Sequence, residues 1–154
     1  MESSVFKNIL VPTDGSALSR AAVHQAVELA KTMGARITAF HVALPYRPSV
    51  SDDYRPARGQ YMTPVEFEAR TETRARQYLS AVDEVAAAEH VPCETHYAHS
   101  DHTADAIVDA AERYHCDAIV MASHGRTGLA KVWHGSQTEK VLEHTKVPVV
   151  VVHP

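Results

Sequence analysis

Very little in this chain would give it a covalent scaffold or a specialised surface. It carries two cysteines in 154 residues, with no C-x-x-C pair. Cys93 and Cys116 fall beside strand-like segments, where free cysteine behaves as a small buried hydrophobe. No apolar run approaches the roughly 18 residues that a membrane-spanning helix needs. Near the start, Ile9-Leu10-Val11 is too short for a signal sequence and Met1-Glu2-Ser3-Ser4 lacks a basic region, so a cytoplasmic protein without membrane insertion is expected. Positive charge is not in excess either: 15 Lys and Arg face 19 Asp and Glu, a formal net charge of -4. Both signs are scattered, which argues against a nucleic-acid stripe or a polybasic membrane patch. Glycine is scarce, six in all, so a stretch that gathers three of them stands out. At this length the chain, residues 1 to 154, reads as a single domain burying roughly 70% of its unfolded surface without disulfides or metal.

What is present is an alternation of short apolar runs with longer stretches of helical period. Strands are expected at Phe6 to Val11, Arg36 to Ala43, Cys93 to Ala98, Ala118 to Ala122 and Val147 to His153. Each is separated from the next by a helical stretch, the pattern of right-handed crossovers onto a parallel sheet. The first helix has apolar residues at Leu18, Ala22, Ala26, Leu29 and Met33, with Gly34 as its C-terminal cap. The second opens at Thr63-Pro64-Val65-Glu66, a capping threonine, a first-turn proline and a glutamate three on. Its core stripe is Ala75, Leu79, Val82 and Ala86. Ala104, Ile107, Val108 and Ala111 mark a third helix, and Val141, Leu142 and Thr145 a short fourth. The expected fold is α/β, a doubly wound five-stranded parallel sheet of order 3-2-1-4-5, with helices on both faces as in Rossmann-like nucleotide-binding folds. Ligands of such sheets bind beyond the strand C-termini where the strand order reverses, here between the first and fourth strands.

Two loops converge there. After the fourth strand comes Met121-Ala122-Ser123-His124-Gly125-Arg126-Thr127-Gly128, then Gly135-Ser136-Gln137-Thr138-Glu139. Ser136 and Glu139 have capping-box spacing, and a helix N-terminus behind glycines is suited to phosphate oxygens. After the first strand comes Pro12-Thr13-Asp14-Gly15-Ser16. Asp14 either accepts hydrogen bonds from a ribose hydroxyl or adenine amine, or merely forms the turn, with Ser16 as an N-cap. Arg126 and His124 flank Gly125 and either meet phosphate or are solvated.

Ile9-Leu10-Val11-Pro12-Thr13-Asp14-Gly15-Ser16, His41-Val42, Ala122-x2-Gly125-x9-Gly135-Ser136 and Val147-Pro148-Val149-Val150-Val151 together resemble the universal stress protein family over the whole chain. The spacing is similar to the signature of its ATP-binding branch, Gly-x2-Gly-x9-Gly followed by Ser or Thr, except that Ala122 replaces the first glycine. A methyl there fits if the backbone is ordinary β and clashes if it has positive φ or touches phosphate. The resemblance implies that Asp14 and the backbone at Val42 hold adenosine, with Pro12 and Thr13 lining that end. It also implies that Gly125, Gly135, Ser136, Gln137 and Thr138 surround the phosphates through backbone N–H groups and the Ser136 and Thr138 hydroxyls. Met121, Ala122 and Arg126 complete the candidate site. ATP or another adenine nucleotide, with Mg2+ carried in on its phosphates, is the implied ligand. A homodimer through Val147 to Val152 is the implied assembly, since a valine edge strand left open invites pairing; a loop capping that edge is the alternative.

The function that follows is a dimeric stress-response regulator with at most slow ATP hydrolysis, acting on a protein partner not yet identified. An interaction protein of the same fold that ignores nucleotide is the alternative. A dedicated ATPase is disfavoured, because no Walker lysine follows the glycines and no acidic two-metal cluster is evident. A flavin carrier is disfavoured because Asp14 would repel a phosphate in the first loop. His96, His99 and His102, spaced by threes among eleven histidines, put neighbours on opposite strand faces and lack a finger-like partner set, so metal is not expected. Leu44 to Met62 is long for a connection, and reads as a lid, a docking loop or an insertion. Trp133 reads first as a core residue.

Overall fold

The computed structural model describes residues 5–46, 62–123 and 135–153. Five strands alternate with four helices: β1 (Asn8–Pro12), α1 (Ala17–Met33), β2 (Arg36–Ala43), α2 (Pro64–Ala88), β3 (Cys93–His99), α3 (Thr103–Arg113), β4 (Ala118–Ala122), α4 (Gly135–His144) and β5 (Val149–Val152). The sheet is parallel throughout, in the order β3-β2-β1-β4-β5, as expected. Its central strand shows why: Ile9, Leu10 and Val11 are fully buried, so β1 must be covered on both faces. Ile9 and Val11 pack with Ile37, Val27, Leu79 and Val82 beneath α1 and α2, while Leu10 packs with Phe40, Ile107, Ile119 and Val141 beneath α3 and α4. The period of two along one strand thus builds two core layers.

Local signals set the helix ends. Ser16 caps α1, accepting the Ser19 N–H at 3.1 Å, and Gly34 ends it in the left-handed conformation, φ 68°. Thr63 and Glu66 form the reciprocal capping box of α2, with Pro64 in its first turn. Several expectations need correction. The fully buried face of α1 is Ser19, Ala22, Val23, Ala26, Val27 and Ala30, and Leu29 and Met33, half-buried, pack against the same core. In α3, Ala110 is buried where Val108 is half-buried. Leu142 is exposed, with Val141 alone of that pair in the core, since adjacent helical positions diverge by about 100°. The outer strands begin and end within a residue or two of expectation, β5 being the shorter at Val149–Val152. Cys116 is buried, but Cys93, on an edge strand, is half-buried. Burial, with Asp83 nearby, pushes the Cys93 thiol up to about 11, and burial also raises Cys116, so both stay protonated and unreactive.

The N-terminal end of the sheet closes on itself. The Asp117 carboxylate accepts the Lys7 and Asn8 N–H groups at 2.9 to 3.1 Å, Asn8 Nδ2 donates to the Tyr114 carbonyl at 2.9 Å, and Thr38 Oγ1 donates to Asn8 Oδ1 at 2.8 Å. No helix among the described residues is long and apolar enough to cross a membrane.

Candidate functional site

At the opposite end of the sheet the β1–α1 turn is built from short polar side chains. Thr13, buried, donates its backbone N–H to the Phe40 carbonyl at 2.9 Å, which ties the turn to β2. Its hydroxyl lies 3.3 Å from the Ser19 hydroxyl and accepts the Gly15 N–H at 3.3 Å. Asp14 Oδ1 accepts the Ser16 N–H at 2.9 Å, so the turn-forming role is real. The chain reverses at Gly15 with φ 78°, and an added Cβ would come within 2.3 Å of the Tyr78 ring. Glycine is required there by conformation and by space.

Burial is the largest influence on Asp14 and would raise its carboxyl. Hydrogen bonds from the Ser16 side chain and backbone and from the Ser19 side chain together outweigh it and hold the group below its usual range. Asp14 therefore presents a carboxylate at neutral pH, an acceptor for hydroxyl or amine donors and a weak base. Behind it, buried His41 donates Nδ1–H to the Thr13 carbonyl at 2.8 Å, because a carbonyl only accepts. That bond orients the ring against the turn.

The other wall comes from β4 and α4. Ala122 ends β4 in register with Val152, and positive φ among the described non-glycine residues is confined to His90 and His115. The alanine in place of the motif glycine therefore sits in ordinary extended backbone and costs no strain. Thr138, buried, donates Oγ1–H to the Ala122 carbonyl at 3.2 Å, and Gln137 Oε1 accepts the Ala104 N–H at 3.2 Å, at the start of α3. These two bonds pin the first turn of α4 to β4 and α3. In this arrangement the Thr138 hydroxyl hydrogen goes to the strand, and Ser136 lies in the first turn of α4.

Pro12, Thr13 and Asp14, Val42, Met121 and Ala122, and Gln137 and Thr138 line one open cleft of about 140 Å³ between β1 and β4. Leu18, Ser19, Phe40 and Thr103 line it too, and the sequence did not single them out for it. Gly135 and Ser136 belong to the backbone of the first turn of α4. Gly125 and Arg126, with His124, Trp133 and most of the Leu44 to Met62 connection, lie outside the described residues. The near ends of that connection meet, Tyr46 Oη donating to the Met62 carbonyl at 3.1 Å.

A second cleft, of about 360 Å³, shares Asp14 and Val42 with the first and runs beneath α2, where His41, Arg70, Arg74 and Tyr78 line it. Sequence reasoning passed over it. The histidine series divides between the two faces of β3: His96 stacks on Tyr114 with ring centroids 3.9 Å apart, and His99 Nε2 meets Glu68 at 3.1 Å. Among the described residues no group of three or more His, Cys, Asp or Glu is placed to hold a metal ion. Carboxylate, backbone amides and an extended strand end around an apolar floor suit a ligand with hydroxyl, amine and anionic groups.

Residues 6–153 match the model of the universal stress protein family. A universal stress protein of Methanocaldococcus jannaschii is 32% identical over 149 residues, 97% of this chain and 83% of that protein. Among solved structures, a universal stress protein in complex with cAMP is similar at TM-score 0.68 and 21% identity, covering 96% of this chain and 97% of that one. The universal stress protein of Archaeoglobus fulgidus in complex with dAMP is similar at TM-score 0.65 and 21% identity, covering 96% and 98%.

Proposed function

Because the chain belongs to the universal stress protein family, we propose that it binds an adenine nucleotide, ATP in the cell, in the cleft between β1 and β4 and acts as a dimeric regulator of a stress response. One observation carries this reading: the cleft at the strand-order reversal is lined by Asp14, Val42, Ala122 and the first turn of α4, the place where sheets of this order take ligands. The adenine nucleotides in the two similar structures above support it. In this reading the Asp14 carboxylate and the Val42 backbone hold adenosine, Pro12 and Thr13 line that end, and Met121 and Ala122 form the floor. The backbone at Gly125, Gly135, Ser136 and Gln137 surrounds the phosphates at the α4 N-terminus, with Arg126 beside them. Thr138 serves by holding α4 to the strand. Magnesium accompanies the phosphates and draws few ligands from the protein, Asp14 being the one carboxylate among the described residues lining the cleft.

The assembly follows from the other end of the sheet order. β5 is an edge of four valines, Val150 among the exposed large hydrophobics. Pairing of Val147 to Val152 with its copy covers that edge, and light scattering after gel filtration at twice the monomer mass is the expected result.

The site is tested by calorimetric titration of ATP with magnesium into the wild type and Ala122→Phe, a side chain the extended backbone accepts and the cleft does not. Micromolar binding lost in the variant is expected. Equal binding by both proteins would place the nucleotide elsewhere.

A further inference from the structure

The second cleft has a chemistry of its own. Arg70, Arg74 and Tyr78 follow one another at intervals of four along α2 and all line it, so they form one ridge of the helix. Tyr78 anchors that ridge. Its ring meets His41 edge-on, centroids 5.2 Å apart, and fills the space that a side chain on Gly15 would need. His41 is fixed in turn by the Thr13 carbonyl. One and two turns along, the arginines are therefore carried over the cleft by a helix that cannot roll without breaking the Gly15 contact.

Among the described residues the charge in this cleft is unbalanced. Arg76, on another face of the helix, is paired with Glu72. Arg70 and Arg74 have no carboxylate partner among the described residues. Like charges one helical turn apart repel. Of the described lining residues the one acid is Asp14, at the boundary with the first cleft and already bonded to Ser16. Two guanidinium forks above a tyrosine and a histidine suit an anion with several oxygens, which arginine binds in bidentate fashion.

We propose that Arg70 and Arg74 form a phosphoryl-binding subsite, taking either free pyrophosphate-like anions or a second phosphate borne by a nucleotide seated across Asp14 and Val42. The free-anion form is independent of the nucleotide reading above; the nucleotide-borne form rests on it.

The test is calorimetric titration of pyrophosphate, AMP and adenosine 3′,5′-bisphosphate into the wild type, Ala122→Phe and Arg70→Gln/Arg74→Gln. Both arginines are exposed and glutamine is a good helix former, so the double variant should melt with the wild type. Expected is pyrophosphate binding that is kept in Ala122→Phe, weakened at least tenfold in the double variant, and reduced by added salt. AMP affinity should change less than twofold in the double variant. A bisphosphate that binds the wild type at least tenfold more tightly than AMP, with that advantage lost in the double variant, identifies the nucleotide-borne source; arginine-dependent pyrophosphate binding without that advantage identifies the free anion. Pyrophosphate binding indifferent to both arginines, or no binding of pyrophosphate together with no bisphosphate advantage, overturns the subsite. Absent AMP binding beside arginine-dependent pyrophosphate binding would sink the nucleotide reading and leave this one standing.

Discussion

At the N-terminal end of the sheet, Asn8 of β1, Thr38 of β2 and Asp117 satisfy one another and the neighbouring backbone, and Asn8 and Thr38 are buried. At the C-terminal end, Thr13, Asp14, Gln137 and Thr138 also bond to backbone or to each other, yet they stand around open clefts. The difference is in what the polar groups are for. A closed cluster is bound to repay burial with stability, since each donor or acceptor left without a partner costs about 1–3 kcal/mol. The open one shapes a surface, and its loss should be felt first in binding. Substitutions at the two ends should therefore separate stability from affinity.

The strongest challenge to that separation is Gly15, the one position of the open end that is also essential to folding. Gly15→Val places a branched side chain at φ 78° and into the Tyr78 ring, and should cost about 3 kcal/mol or more. Both clefts should be lost with it. Chemical denaturation would show this, and Tyr78→Ala added to the variant should recover part of the loss if the ring contact is its cause.

Next in size is the closed end. Asn8→Leu leaves the fully buried Thr38 hydroxyl without its acceptor and should destabilise by about 2–3 kcal/mol. Nucleotide affinity should stay within about twofold, given the usual independence of sites with no shared partners. A large affinity loss in a protein still folded would break the comparison.

At the open end, Asp14→Asn keeps an acceptor for the Ser16 N–H but removes the charge. Adenine-nucleotide affinity should fall about tenfold, the scale of one charged hydrogen bond, with little change in melting temperature. The smallest effect is its pH dependence. The folded carboxyl titrates below its ordinary value, so its contribution to stability is present above about pH 4 and is lost as pH falls through the folded pKa. The difference in denaturation midpoint between wild type and Asp14→Asn should narrow in that acid range and stay constant above it.

The strands and their order were legible because Ile9-Leu10-Val11 and its counterparts are short, apolar and regularly interrupted, and a parallel sheet leaves few ways to arrange them. The walls of the first cleft were legible because Asp14 follows β1 directly, Ala122 ends β4 and Gln137 lies in the first turn of the helix that comes next. Packing preference was not. Leu29 and Met33 pack half-buried against the core that Val23, Val27 and Ala30 enter fully, and Leu142 is exposed beside buried Val141. The second cleft was invisible because its parts are far apart in sequence. His41 is on β2, Arg70 and Arg74 are on α2, and the packing of α2 on the sheet, with Tyr78 against His41 and Gly15, brings them beside Asp14. Nor did spacing reveal that the Thr138 hydroxyl is spent on the Ala122 carbonyl.

The most direct test of the nucleotide cleft is titration of AMP into isotope-labelled protein while following backbone amide shifts. The account predicts saturable changes at Thr13 to Ser16, Val42, Ala122 to Ser123 and residues 135 to 138, with the amides around Asn8 and Asp117 unmoved. Changes centred on any other surface, or none at millimolar AMP in a folded protein, would contradict it.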